Sequence, residues 1–152
     1  MVYLITHGDT FDGVDPGHTM LGFVQINALK LPDCITLIVA GTGKRFLEVL
    51  KVVHNKMLDV PVKYSPFCGG PECSDDPDNV VLPTGLIISR REYIGISNKS
   101  TIMWEFVQTL SNESLNVLLC AGSELARALG VKFKQGQLYT LDPTAQTGRE
   151  ID

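Results

Sequence analysis

The stretch Val2-Tyr3-Leu4-Ile5-Thr6-His7-Gly8-Asp9-Thr10 opens with four apolar residues and breaks at a polar turn containing glycine. A short apolar run stopped this abruptly reads as a strand buried on both faces, like the strands of a parallel sheet. Two later segments repeat the pattern: Ile35-Thr36-Leu37-Ile38-Val39-Ala40 runs into Gly41-Thr42-Gly43, and Val117-Leu118-Leu119-Cys120 runs into Ala121-Gly122-Ser123. Helical spacing follows each strand. After the first come the loop Asp12 to Thr19 and a helix capped by Thr19, with Leu21, Val24, Ala28 and Leu29 as its apolar positions and Pro32 as its stop. After the second come Phe46, Leu47, Val49, Leu50 and Val53, and after the third Leu125, Ala128 and Leu129, ended by Gly130. Strand and helix in alternation imply an α/β protein, a three-layer α/β/α arrangement around a mainly parallel central sheet. Ligands of such sheets sit beyond the carboxyl ends of the strands, so the turns Thr6–Thr10, Ala40–Arg45 and Cys120–Ser123 form the candidate site.

Between these units the sequence changes character. Val60 to Pro83 holds five Pro, two Gly, two Cys and the acidic Ser74-Asp75-Asp76-Pro77-Asp78, and is expected to be one long surface loop over about 60–84. Leu86-Ile87-Ile88 and Tyr93-Ile94-Gly95-Ile96 read as two short strands joined by the charged turn Arg90-Arg91-Glu92. The spacing of Ile102, Met103, Phe106, Val107 and Leu110 predicts a helix over 101–110, capped by Ser100 or Thr101. Gln137 to Leu141 reads as a last strand, with a loose polar tail after Pro143.

A chain of 152 residues that is 44% hydrophobic fits one domain with a buried core. Its 13 basic and 17 acidic residues leave a net charge of −4, which excludes a surface built to wrap a nucleic-acid backbone. No apolar run approaches the roughly 20 residues of a membrane span, and no basic region precedes a hydrophobic stretch at the start, so a cytoplasmic location is expected. Four cysteines, Cys34, Cys68, Cys73 and Cys120, are too few for a disulfide scaffold and read as mostly reduced thiols, with a Cys68–Cys73 bond left open. Cys68 and Cys73 have no second Cys or His pair to complete a zinc site, and neither metal nor cofactor is expected.

Among the strand-end residues, His7 stands directly before a glycine that leaves its ring approachable, where an imidazole can act as nucleophile or base. Lys44 and Arg45 open the second helix. Cations there oppose the helix dipole, and together with the unpaired N–H groups they suit an anion the size of phosphate. Gly41-Thr42-Gly43-Lys44 is not a nucleotide-binding P-loop, because the G-x-x-x-x-G-K-[ST] spacing is absent and Arg45 stands where Ser or Thr is needed. His18 and His54 read as a loop histidine and an exposed helix histidine.

In these motifs the sequence resembles the histidine phosphatase, or phosphoglycerate mutase-like, family. Its Arg-His-Gly-Glu/Asp signature is similar to Thr6-His7-Gly8-Asp9, and its Leu-Thr-x-x-Gly-x-x-Gln-Ala helix start is similar to the stretch from Thr19 through Gly22 and Gln25 to Ala28. Its Ser-Ser-Pro-Leu-x-Arg-Ala strand end is similar to Ala40-Gly41-Thr42-Gly43-Lys44-Arg45-Phe46. Order and spacing agree through the first half of the chain, and the length suits the short forms that include protein phosphohistidine phosphatases. The resemblance implies that His7 is the nucleophile, transiently phosphorylated, and that Arg45 clamps phosphoryl oxygens. Thr6, Gly8, Thr42, Lys44 and Gly122 are the accompanying candidates for substrate binding. The implied partner is a phosphate-bearing small molecule or a phosphoprotein.

The sequence departs from that pattern twice. Thr6 stands in place of the family's phosphate-binding Arg, and Ala121 in Cys120-Ala121-Gly122 stands in place of its second His. Each lost donor to a developing oxyanion typically costs on the order of 10²- to 10³-fold in rate. The expectation is therefore a weakened phosphatase, or alternatively a non-catalytic module on the same fold that binds a phospho-ligand or a partner. Replacement cations could come from Lys44, His18, Arg90 or Arg91, and a general acid from Glu72, Asp75 or Asp76 in the 60–84 loop.

Overall fold

The structure is a computed structural model and describes residues 1–69 and 76–151. Its first strand, β1 (Val2–Thr6), leads into α1 (Met20–Asn27), β2 (Leu37–Ala40) and α2 (Lys44–Lys56). There follow β3 (Val62–Tyr64), α3 (Pro66–Gly69), β4 (Asn79–Val81), β5 (Ile87–Ser89), α4 (Arg90–Gly95) and α5 (Ser100–Glu113). The chain closes with β6 (Val117–Ala121), α6 (Ser123–Ala128), β7 (Leu138–Asp142) and β8 (Thr147–Ile151). Six strands form one sheet in the order β3-β2-β6-β1-β7-β8. The β3–β2, β2–β6 and β6–β1 pairs are parallel, and β7 and β8 add antiparallel at the edge.

The apolar runs fill two cores, one on each face of this sheet. Val2, Leu4, Val117, Leu119 and Ala121 point to the face covered by Met103, Phe106 and Val107 of α5 and Leu125 of α6. Ile5, Ile38, Leu118 and Cys120 point to the other face, against Ile26 of α1 and Val49, Leu50 and Val53 of α2. Alternate residues of the same strands feed both cores, which is why these strands read as unbroken apolar runs. Burial pushes the Cys120 thiol up to about 12, leaving it an inert core residue.

Several local expectations are corrected. Residues 60–84 are not one loop: they carry β3, α3 and β4, and β4 pairs antiparallel with β5 as a separate two-stranded sheet. The Tyr93–Ile96 strand is instead α4, capped by the Ser89 hydroxyl, which accepts from the Glu92 amide in a Ser-x-x-Glu pattern. The tail after Pro143 is ordered as β8, its turn held by Asp142 Oδ1, which accepts from the amides of Thr144 and Ala145. Thr19 caps α1 as expected, accepting from the Gly22 amide. Leu21 and Val24, expected to face the core, are exposed, and Gly22 and Ile26 are buried in their place. The cause is steric, because a Cβ on Gly22 would lie 2.0 Å from the Asp9 carbonyl oxygen, so only the glycine side of α1 can approach the first turn.

Candidate active site

The carboxyl ends of β1, β2 and β6 converge, and His7 lies where they meet, with 9% of its surface exposed. Its ring is enclosed by aromatic neighbours from three segments: Phe133 at 5.3 Å between centroids, Phe46 at 6.2 Å and His18 at 6.2 Å. Gly122 completes the wall; a Cβ there would come within 2.9 Å of the Phe46 ring and 3.5 Å of His7 Cδ2.

His7 Nδ1 is 2.8 Å from the Gly8 carbonyl oxygen, which can only accept, so Nδ1 carries the proton and donates. In the neutral ring, Nε2 then holds the lone pair. The His7 pKa is held below its ordinary 6.5, first by burial, with the charge of Arg45 and the proximity of His18 acting in the same direction. The Gly8 carbonyl opposes this by favouring the protonated ring. Arg45 stacks on Phe46, its guanidinium carbon 4.6 Å from the ring centroid. Its Nε is buried and has no hydrogen-bond acceptor among the described residues, and Phe46 is a neighbour of both Arg45 and the His7 ring.

The other expected contacts are distributed differently. Thr6 is fully buried, and its hydroxyl donates to the Lys134 carbonyl at 2.6 Å and accepts from the Gln137 amide at 2.9 Å. It ties β1 to the 134–137 segment and has no proton left for a ligand. The Gly8 amide is also committed, donating to His18 Nε2 at 2.9 Å. The N-terminus of α2 is partly filled from within the chain, because the Lys44 amide donates to Asp15 Oδ1 at 2.7 Å. Thr42 and the Lys44 side chain lie exposed at this end. Arg90 points elsewhere, donating to the Asp76 carbonyl, and Arg91 is exposed. Asp76 accepts from the amides of Asp78 and Asn79; these bonds hold its carboxyl below the usual range, so it suits a turn and not a general acid. Glu72, Asp75 and Cys73 lie outside the described residues.

His18 lies in a loop, as expected, but has a role the sequence did not suggest. Its side chain is fully buried, and its Nδ1 meets Glu48 Oε1 at 3.0 Å. Neither His18 nor Glu48 stands in a spacing that announces this, since they come from a loop and a helix 30 residues apart. Phe133 was likewise silent in the sequence. Gln25 was legible through the family resemblance, and its Oε1 accepts from the Asp9 amide at 2.8 Å. His54, expected to be exposed, is half-buried in the last turn of α2.

The two departures from the family pattern are neighbours. Thr6 and Ala121 pair in register across β1 and β6, and both are buried. A cavity of about 600 Å³ lies between α4, α5 and α6, lined by Phe67, Tyr93, Lys99, Glu124 and Arg127, and includes neither His7 nor Arg45.

No protein-family model and no curated protein sequence matches the chain. Its fold is similar to that of solved histidine phosphatases. The structure of the protein histidine phosphatase SixA complexed with tungstate is 17% identical, with a TM-score of 0.57, over 99% of this chain and 93% of that one. An alpha-ribazole phosphatase from Shigella flexneri is 14% identical, with a TM-score of 0.57, over 99% and 94%. A mycobacterial glucosyl-3-phosphoglycerate phosphatase is 12% identical, with a TM-score of 0.55, over 91% and 87%. The chain therefore has the histidine phosphatase, phosphoglycerate mutase-like fold. Among the described residues no helix is long and apolar enough to cross a membrane.

Proposed function

We propose that the chain transfers or hydrolyses phosphoryl groups through a phosphohistidine on His7, at a rate weakened by Thr6 and Ala121. The observation that carries this reading is a neutral His7 ring with its lone pair on Nε2 and an Arg45 whose buried Nε has no acceptor among the described residues, both neighbours of Phe46. A phosphoryl oxygen would satisfy that donor and bring phosphorus to the nitrogen. Nε2 attacks phosphorus, the bond from phosphorus to the leaving atom breaks, and the leaving group takes a proton. Water then cleaves the P–N bond, releasing phosphate and restoring the neutral ring.

Of the three candidate acids, the described one, Asp76, is held below the usual carboxylate range in a turn by the amides of Asp78 and Asn79, which weakens the case for a strong general acid at the leaving group. That favours substrates whose leaving group departs easily, such as a phosphohistidine or an acyl phosphate, over alkyl phosphate esters. The similarity in fold to a protein histidine phosphatase agrees with this class. Arg45 is the clamp in this reading, and Gly122 leaves space beside the ring.

The test is hydrolysis of acetyl phosphate, a phosphohistidine peptide and a panel of phosphate esters by the wild type and His7→Ala. We expect turnover that falls by at least about 10³-fold on the substitution, as loss of a covalent nucleophile does. Saturable phosphate binding with no turnover on any substrate would replace this reading with the non-catalytic phospho-ligand module.

A further inference from the structure

His7 donates Nδ1–H to the carbonyl of Gly8, a residue whose missing Cβ leaves its φ and ψ little restricted by its own side chain, so contacts from outside the turn fix where that carbonyl points. Two side chains do so. Gln25 Oε1 accepts from the amide of Asp9, on the peptide that follows Gly8, at 2.8 Å. His18 Nε2 accepts from the amide of Gly8 itself, on the peptide that precedes it, at 2.9 Å.

An imidazole nitrogen that accepts an N–H is unprotonated, so the proton of the neutral His18 ring is on Nδ1 and points at Glu48 Oε1, 3.0 Å away. The same oxygen accepts from the His18 backbone amide at 2.7 Å. Phe23 packs against the His18 ring at 5.3 Å between centroids, so bonds and packing together hold it in one orientation. Hydrogen bonds thus run from α2 to the first turn: carboxylate, imidazole, Gly8 amide, and from the Gly8 carbonyl to His7.

We propose that His18, oriented by Glu48, is a positioning residue that fixes the Gly8 backbone so that its carbonyl holds the proton of His7 on Nδ1 and leaves Nε2 free. The purpose of this device rests on the reading of His7 as nucleophile. Its geometry does not, and it can be measured without turnover.

The test is the protonation pattern of the His7 ring nitrogens by long-range proton–nitrogen NMR correlation at pH 7.5, in the wild type, His18→Phe, His18→Gln and Glu48→Ala. In the wild type we expect Nδ1 protonated and Nε2 bare. In His18→Phe both nitrogens should move toward the values of mixed tautomers, and in His18→Gln, whose side-chain oxygen can accept the Gly8 amide, they should return. Glu48→Ala should give an intermediate shift; at a partly exposed helix position, it carries the test if His18→Phe does not fold. Where turnover is present, kcat should fall about 10- to 100-fold with little change in KM, as expected when a reacting group is misplaced. Unchanged His7 nitrogens in folded His18→Phe and Glu48→Ala overturn the proposal. A tautomer shift in a protein with no turnover upholds the positioning role and overturns only the catalytic reading.

Discussion

The flank of His7 built by α2 carries Arg45, Glu48 and, through them, His18, whereas the flank built by β6 carries Ala121 beside a hydroxyl already committed at Thr6. On the first flank, His18 and Glu48 are paired and Arg45 Nε has no acceptor among the described residues. On the second, small side chains are sealed into a core in which Ala121 packs with Leu119 and Leu125. The two positions at which the sequence departs from the resembled pattern, Thr6 and Ala121, thus lie side by side in one closed flank. Both are buried, Thr6 bonded to the 134–137 backbone and Ala121 packed in the apolar core.

The largest expected effect tests that closure. Thr6→Arg would bury a charge without a partner and leave the Gln137 amide unbonded, at a cost of about 3–5 kcal/mol. Thermal unfolding should show a large fall in Tm; an unchanged Tm with a gain in hydrolysis would mean that the β6 flank is open after all. Next in size, Arg45→Ala on the open flank should lower kcat/KM by about 10²- to 10³-fold while leaving Tm within a few degrees. An unaltered rate would remove Arg45 from the phosphoryl site.

The pH dependence sharpens the same contrast, because burial first, and then Arg45 on the α2 flank, disfavour the protonated His7 ring. Its folded pKa lies below 6.5, so between the folded value and 6.5 the unfolded chain binds more protons. The stabilisation is fully present above 6.5 and is lost as pH falls through that window. Tm measured from pH 7.5 to 5 should therefore decline, and the decline should be shallower in His7→Asn. The smallest expected effect is at Asp15, whose carboxylate sits on the first amide of α2 with backbone φ of 51°. Asp15→Ala removes a negative charge at that helix end, worth about 0.3–1 kcal/mol to an arriving anion, and phosphate titration should show about 2- to 5-fold tighter binding.

Much of the architecture was legible because burial on both faces forces unbroken apolar runs, and β1, β2 and β6 have them. The Ser89-Arg90-Arg91-Glu92 cap was equally present in the sequence, but the apolar residues after it suggested a strand. β8 was missed for a different reason: as an edge strand it carries Thr147, Arg149 and Glu150, which look like a tail unless the strand beside it is known. Leu21 and Val24 misled because periodicity gives a helix its faces but not its rotation, which here is set by the contact of Gly22 with the Asp9 carbonyl.

By itself, the sequence determined the layered α/β arrangement and the place of His7 at a strand end and of Arg45 at a helix start, since both follow from local patterns of burial and from turns a few residues long. Only the tertiary structure decided that Thr6 faces inward, that Asp15 occupies the head of α2 and that Glu48 and His18 stand behind Gly8. Those contacts join residues up to 131 positions apart, and a hydrogen bond of a few ångströms between distant segments leaves no period or spacing in the chain that makes it.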